Sequence, residues 1–187
     1  MIEYTVTVDS TVEPVAVADF KDAISAEGSF DEGRFEDILK AARQYAEEYT
    51  RRTFIEKTIQ MRLDAWPTSN IIYPVLPPLL NVQSVTIDGV AATGYTALKD
   101  RLVFSTSKSV SAPAGGIAVT YTAGYGATAA DVPQPIKEAI ISLANDFITR
   151  INLQQGNQET RSIEMTDKAL SLLRPYCVVD RLSHGGN

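Results

Sequence analysis

Between residues 31 and 52, apolar side chains recur with the spacing of one helix face. Phe35, Ile38, Leu39, Ala42, Tyr45, Ala46 and Tyr49 fall at i, i+3, i+4 and i+7 intervals, which places them on one stripe of a 3.6-residue period. The opposite face pairs Glu36 with Lys40, Glu47 with Arg51 and Glu48 with Arg52, each pair an i, i+4 match of a carboxylate with a later cation. Asp31 begins this helix, and Arg51 and Arg52 suit the negative end of its dipole. A second stripe comprises Ile136, Ala139, Ile140, Leu143, Ala144, Phe147, Ile148 and Ile151. Asp131 with Gln134 reads as a capping box ahead of it, with Pro133 in the first turn. Two shorter helices flank these. One opens at Pro14, carries Val17, Phe20 and Ile24, and ends at Gly28; the other is capped by Thr166, carries Ala169, Leu170, Leu172 and Leu173, and stops at Pro175.

Between the long helices the period changes to two. Ile59, Met61, Leu63 and Ala65 alternate with Thr58, Gln60, Arg62 and Asp64, as expected of a half-buried strand, and Trp66-Pro67 ends it. Short strands follow over Val82 to Ile87, Tyr95 to Leu98, Arg101 to Phe104 and Ile117 to Thr122. Asp88-Gly89 and Lys99-Asp100 make plausible tight turns between them. Ser105 to Gly116 is rich in Ser, Ala and Gly and reads as a loop. Met1 to Val8 alternates weakly, as a short strand or an ordered tail would. The order helices, strands, helices predicts an α+β chain: mainly a helical bundle with a small antiparallel β subdomain inserted. The expected organisation is a single domain, 1–187. Its helical part spans 14–53 and 131–176 and its β insertion 57–122. A flexible polar loop covers 152–163, and a tail 177–187.

Composition narrows the function. Of 187 residues, 44% are hydrophobic and 21% charged, an ordinary globular balance able to bury a core without staples. The net charge is -6, which argues against nonspecific DNA binding by the whole molecule, because that needs a basic face. Met1-Ile2-Glu3-Tyr4 lacks the basic and apolar regions of a signal peptide. The apolar run Ile71 to Leu80 is interrupted by Pro74, Pro77 and Pro78, and no run reaches the ~18 residues that span a bilayer. A soluble product made inside the cell is the expectation.

Candidate chemistry is sparse, and no cofactor is expected. Cys177 is the only cysteine and His184 the only histidine, so an intrachain disulfide and a thiol–imidazole zinc site are excluded. No phosphate-binding loop occurs; Gly115-Gly116 and Gly124-Tyr125-Gly126 read as turn geometry. His184 lies near the chain end, where a catalytic base is poorly held. Cys177 reads as a small buried apolar residue. Asp31, Glu32, Glu36 and Asp37 crowd the start of the long helix and read as dipole-compensating residues rather than metal ligands. Tyr45, Tyr49, Tyr121, Tyr125 and Tyr176 could stack on nucleic acid, but the first two lie on the apolar stripe and read as core or interface.

Four stretches carry a resemblance. They are Ala42-Arg43-Gln44-Tyr45-Ala46-Glu47-Glu48-Tyr49-Thr50-Arg51-Arg52; Leu63-Asp64-Ala65-Trp66-Pro67 with Pro74-Val75-Leu76-Pro77-Pro78-Leu79 and Val82-Gln83-Ser84-Val85; Val119-Thr120-Tyr121-Thr122-Ala123-Gly124-Tyr125-Gly126 with Val132-Pro133 and Ile136-Lys137-Glu138-Ala139-Ile140; and Leu172-Leu173-Arg174-Pro175-Tyr176. In order and spacing they resemble the phage head–tail connector (adaptor) family, gp6-like, of siphovirus-type phages and prophages. The resemblance covers about residues 15 to 176. It implies a non-enzymatic virion protein that assembles in the bacterial cytoplasm. Copies of it, commonly twelve, would form a ring under the portal protein, extend the DNA channel and dock the next adaptor, stopper or tail protein. DNA would pass without specific binding, and no membrane is involved.

A ring needs head-to-tail side contacts. The candidate subunit interface is Glu36, Lys40, Arg43, Glu47 and Arg51, with a plain solvated face as the equal alternative. Leu173, Arg174, Pro175 and Tyr176 are the candidate portal or tail contact, and the loop and tail are expected to order on binding. Other readings are a tail-completion or other virion adaptor, a small hydrolase with an acidic site, and a scaffold module without phage function.

Overall fold

The computed structural model describes residues 2–24, 31–111, 116–155 and 167–178. These hold helices α1 (Val17–Ile24), α2 (Glu32–Thr50), α3 (Gln134–Gln155) and α4 (Asp167–Leu173). The strands are β1 (Ile2–Val8), β2 (Lys57–Leu63), β3 (Ile71–Ile72), β4 (Leu79–Ile87), β5 (Val90–Ala91), β6 (Tyr95–Leu98), β7 (Arg101–Phe104) and β8 (Ile117–Ala123). The class is α+β, but the chain is not mainly a helical bundle: all eight strands are antiparallel, in two sheets. The sequence pattern understates the β part because β3 and β5 are two residues each, too short to show a period. The chain divides into two compact units, Met1–Val12 with Thr53–Asp131, and Glu13–Arg52 with Val132–Asn187.

The β unit is two sheets closed on one core. Five strands lie in the order β1-β2-β8-β4-β5 and three in the order β3-β7-β6. Ile59, Met61, Leu79, Val85, Ile117, Val119, Tyr121 and Ala123 of the first sheet pack with Ile72, Leu102 and Phe104 of the second. Met1 to Val8, read as strand or tail, supplies β1, which runs antiparallel to β2. Asp88 and Gly89 both take positive φ (50° and 81°) in the two-residue link from β4 to β5, the turn whose twist matches that of a hairpin. The Asp88 carboxylate then accepts from Ser111 N (2.8 Å) and Gly116 N (3.0 Å), tying down both described ends of the loop between β7 and β8.

Gly124 is required by space and by conformation. Its φ is 137°, and a Cβ there would lie 2.8 Å from Ile55 C and from Glu56 N. Tyr125 N donates to Phe54 O (3.0 Å) and Glu56 N to Gly126 O (2.9 Å), so the two backbones must run side by side. The turn reading of this glycine pair therefore becomes a close approach of two segments.

In the helical unit the buried side chains are Phe20, Phe35, Ile38, Leu39, Ala42, Ala46, Ile136, Ala139, Ile140, Leu143, Ala144, Ile148, Ala169 and Leu173, among others. Phe20 meets Phe35 edge-on at 5.9 Å. Asp31 caps α2, accepting from Arg34 N at 2.8 Å, as an N-cap carboxylate does. The capping box expected at Asp131 does not form. The Asp131 carboxylate instead accepts from Thr128 N (2.9 Å) and Oγ1 (2.7 Å), and Pro135, not Pro133, sits in the first turn of α3. Residues 152–155, read as the start of the polar loop, are the last of α3, which continues to Gln155. The rest of that loop lies outside the described residues, as do Gly28, Thr166 and His184.

Candidate functional site

The five residues read as a subunit interface separate into two groups. Glu36, Lys40 and Arg51 are exposed. Arg43 and Glu47 are buried, Arg43 at 1% exposure. The Arg43 guanidinium donates from Nε to Glu13 Oε2 (2.7 Å), from Nη2 to Glu13 Oε1 (3.2 Å) and from Nη1 to Glu47 Oε2 (2.9 Å). This is a planar fork closed on two carboxylates, the geometry in which a buried arginine is best compensated. Arg43 and Glu47 are therefore internal to the chain rather than an outward interface. Spacing alone assigns them to the solvent face because Glu13, the second carboxylate on Arg43, lies 30 residues upstream of it.

Their burial turns α2 about its axis relative to the stripe read from hydrophobicity. Arg43, Glu47 and Thr50 join the buried side, and Tyr45 (40% exposed) and Tyr49 (36%) fall outside it. The core reading of those two tyrosines is corrected. They lie one turn apart on the outer surface of α2, beside exposed Ala41, Gln44 and Glu48.

Of the four residues read as a portal or tail contact, Leu173 is fully buried and belongs to the helical core. Arg174 and Pro175 are exposed and Tyr176 is half-buried. This segment is fastened to the end of α2. Arg52 Nε donates to Tyr176 O, and Val178 N donates to Thr50 O at 2.9 Å. Cys177, expected to be buried, is half-exposed, with its Sγ 3.7 Å from Leu173 O. Residues 179–187 of the tail lie outside the described residues.

Tyr121 does not present a ring for stacking. It is buried, and its hydroxyl donates to Val75 O at 2.6 Å. Burial holds its phenol well above the ordinary tyrosine range. Among the described residues no cluster of three or more His, Cys, Asp or Glu could hold a metal ion, and no helix is long and apolar enough to cross a membrane.

The surface that sequence reasoning missed is β1. Ile2, Tyr4 and Val6 face Leu63, Met61 and Ile59 across the ladder, so they share the sheet face that forms the core. Ile59 and Met61 are fully buried, yet Ile2 (40%), Tyr4 (49%) and Val6 (37%) are exposed. The alternation of residues 1–8 was the available signal. It could not say whether the apolar side is covered.

No family model and no curated protein matches the sequence. Solved structures share its fold. The neck of an empty gene transfer agent (GTA) particle with C6 symmetry is similar at a TM-score of 0.73 and 20% identity, over 100% of this chain and 98% of that one. The virion of the native GTA particle gives 0.72 and 19%, over 98% of each chain. The neck of the native particle with C12 symmetry gives 0.70 and 20%, over 100% and 98%. The match spans both units, so the whole chain shares this fold.

Proposed function

We propose that this chain is a structural, non-catalytic neck protein of a phage-like particle. In this reading it is a head–tail connector (adaptor) whose copies form a ring beneath the portal, continue the DNA channel and dock a stopper or tail component. The observation that carries the reading is the likeness over the full length to chains in GTA neck and virion structures, two of them with sixfold or twelvefold symmetry. The likeness lies with GTA particles, so the narrower gp6-like, siphovirus-type assignment rests on the sequence resemblance alone. The net charge of -6 is compatible with a conduit from which phosphate is repelled rather than held.

The test is to mix the purified chain with a portal protein of the same particle and to image the product by electron microscopy. A ring of this chain seated on the portal is the expected result. Binding to a tail end with no affinity for the portal would replace the connector reading with the tail-completion one. Deleting residues 177–187 is expected to weaken portal binding, and unchanged binding would remove the tail from the contact.

A further inference from the structure

The five-stranded sheet ends in β1 on one side and in β4 with the two-residue β5 on the other. β1 is the edge strand at one end, and no described strand pairs with its outer side. At the other end β5 pairs with Thr86 and Ile87 of β4, Ala92 N donates to Val85 O and Leu79 N to Lys99 O, so among the described residues only positions 80–84 of β4 have no strand paired on their outer side. Natural sheets blunt such edges with lysine, proline or inward-pointing charge. β1 reads Ile-Glu-Tyr-Thr-Val-Thr-Val, with one charge at Glu3. β4 reads Leu-Leu-Asn-Val-Gln-Ser-Val-Thr-Ile, with none. Exposed large apolar side chains mark both ends: Ile2, Tyr4 and Val6 at one, Leu80 (43%) and Val90 (70%) at the other.

We infer that β1 of one copy joins the β4–β5 end of the sheet in the next copy, so that the sheet continues from subunit to subunit around the ring. The inference rests on the ring reading above and names its side contact. Three observations favour a second copy as the occupant. The two ends are different surfaces on one sheet, and a head-to-tail contact that closes a ring requires two such unlike surfaces. Each copy carries a net charge of -6, which disfavours contact between strongly acidic faces; β1 itself holds one charge, Glu3, and β4 and β5 hold none, with Asp88 in the link between them. The apolar face of the core also runs outward onto β1 without interruption, through Met61 to Tyr4 and Ile59 to Val6, leaving a face that an added strand and its side chains would cover. Three half-exposed side chains fall short of the roughly 800 Å² per partner of a standard stable interface. The contact is therefore one part of the ring interface, strengthened when the ring closes.

The experiment compares wild type with the double variant Tyr4→Asp/Val6→Asp in the portal-binding assay. Both positions are exposed, so the free subunit is expected to keep its thermal melt, whereas rings on portal should fall at least tenfold. Wild-type rings with equally frequent variant rings would overturn the inference and leave the connector reading standing. Wild type that forms no ring refutes the connector reading and this inference with it. A second measurement does not depend on how the double variant folds. In a Cys177→Ser background, Thr5→Cys and Gln83→Cys subunits are mixed on the portal and oxidised. Disulfide-linked dimers should form in the mixture and not from either variant alone. Linkage of Thr5→Cys to itself, or none in the mixture, overturns the proposal.

Discussion

Replacing Arg43 with alanine should damage the free subunit itself. The guanidinium is 1% exposed and makes three hydrogen bonds of 2.7, 2.9 and 3.2 Å to Glu13 and Glu47. Removing it takes the Arg43 charge away from the Glu47 carboxylate, whose side chain is 10% exposed, and opens a cavity beside α2. Removing one partner of a buried ion pair costs about 3–5 kcal/mol, out of the ~5–15 kcal/mol that holds a typical protein folded. The converse change gives the control. Arg43→Met with Glu47→Leu removes both buried charges and keeps most of the volume. Glu13, with 30% of its side chain exposed, can turn to water. Such apolar replacements are close to neutral or stabilising, so the double variant should lie within about 1 kcal/mol of wild type. Urea unfolding read by far-UV circular dichroism follows the helices. The fluorescence of Trp66, the only tryptophan, follows the β unit, where it meets Phe104 edge-on at 4.9 Å. Two probes are needed because a chain of two compact units need not unfold in one step. The loss should appear in the helical transition. If Arg43→Ala cost under ~1 kcal/mol in the free subunit yet abolished ring formation, Arg43 would be an interface residue after all. If the double variant were as unstable as the single one, buried charge would not be the cause.

Two further changes test the β unit. Gly124→Ala would place a Cβ 2.8 Å from backbone atoms of Ile55 and Glu56, which cannot move aside as a side chain can. Overpacking of this kind costs about 1–3 kcal/mol, to which the strain of a positive φ adds, so the Trp66 transition should move to lower urea; an unchanged midpoint would mean that the two segments separate freely. Tyr121 should remain un-ionised in alkali. Its folded pKa is raised and the unfolded value is near 10, so the unfolded state releases the proton first, and the stability Tyr121 contributes, complete below about pH 10, declines as pH rises further. In an ultraviolet titration Tyr121 should therefore ionise only on unfolding. Tyr121→Phe should remove this step and cost about 1 kcal/mol for the lost hydrogen bond to Val75.

Periodicity sufficed for the elements that are long or firmly punctuated. β6 and β7 occur with the bounds the pattern predicts, the span read for β8 falls one residue short, and Asp31 caps α2 as expected. It failed where hydrophobicity is a poor guide to burial. Arg43 and Glu47 are polar letters in a buried stripe, and Tyr45 and Tyr49 are apolar letters outside it. The two errors share one cause: burial of a charge depends on a partner, and Glu13 reaches α2 only after the chain has folded back. The candidate surfaces follow the same division. Arg174 and Pro175 are exposed, whereas Leu173 fills the helical core.

What the sequence determined by itself is local: two amphipathic helices, a run of short strands with their turns, and a net acidic charge. Those properties depend on neighbours a few positions apart, which a linear pattern contains. The tertiary structure decided which stripe faces inward, that residues 2–8 complete the sheet, and that Ile2, Tyr4 and Val6 continue a core face into solvent. The Arg43–Glu13 ion pair and the β1–β2 and β2–β8 ladders join residues far apart in sequence, at separations the alternation of polar and apolar letters does not encode.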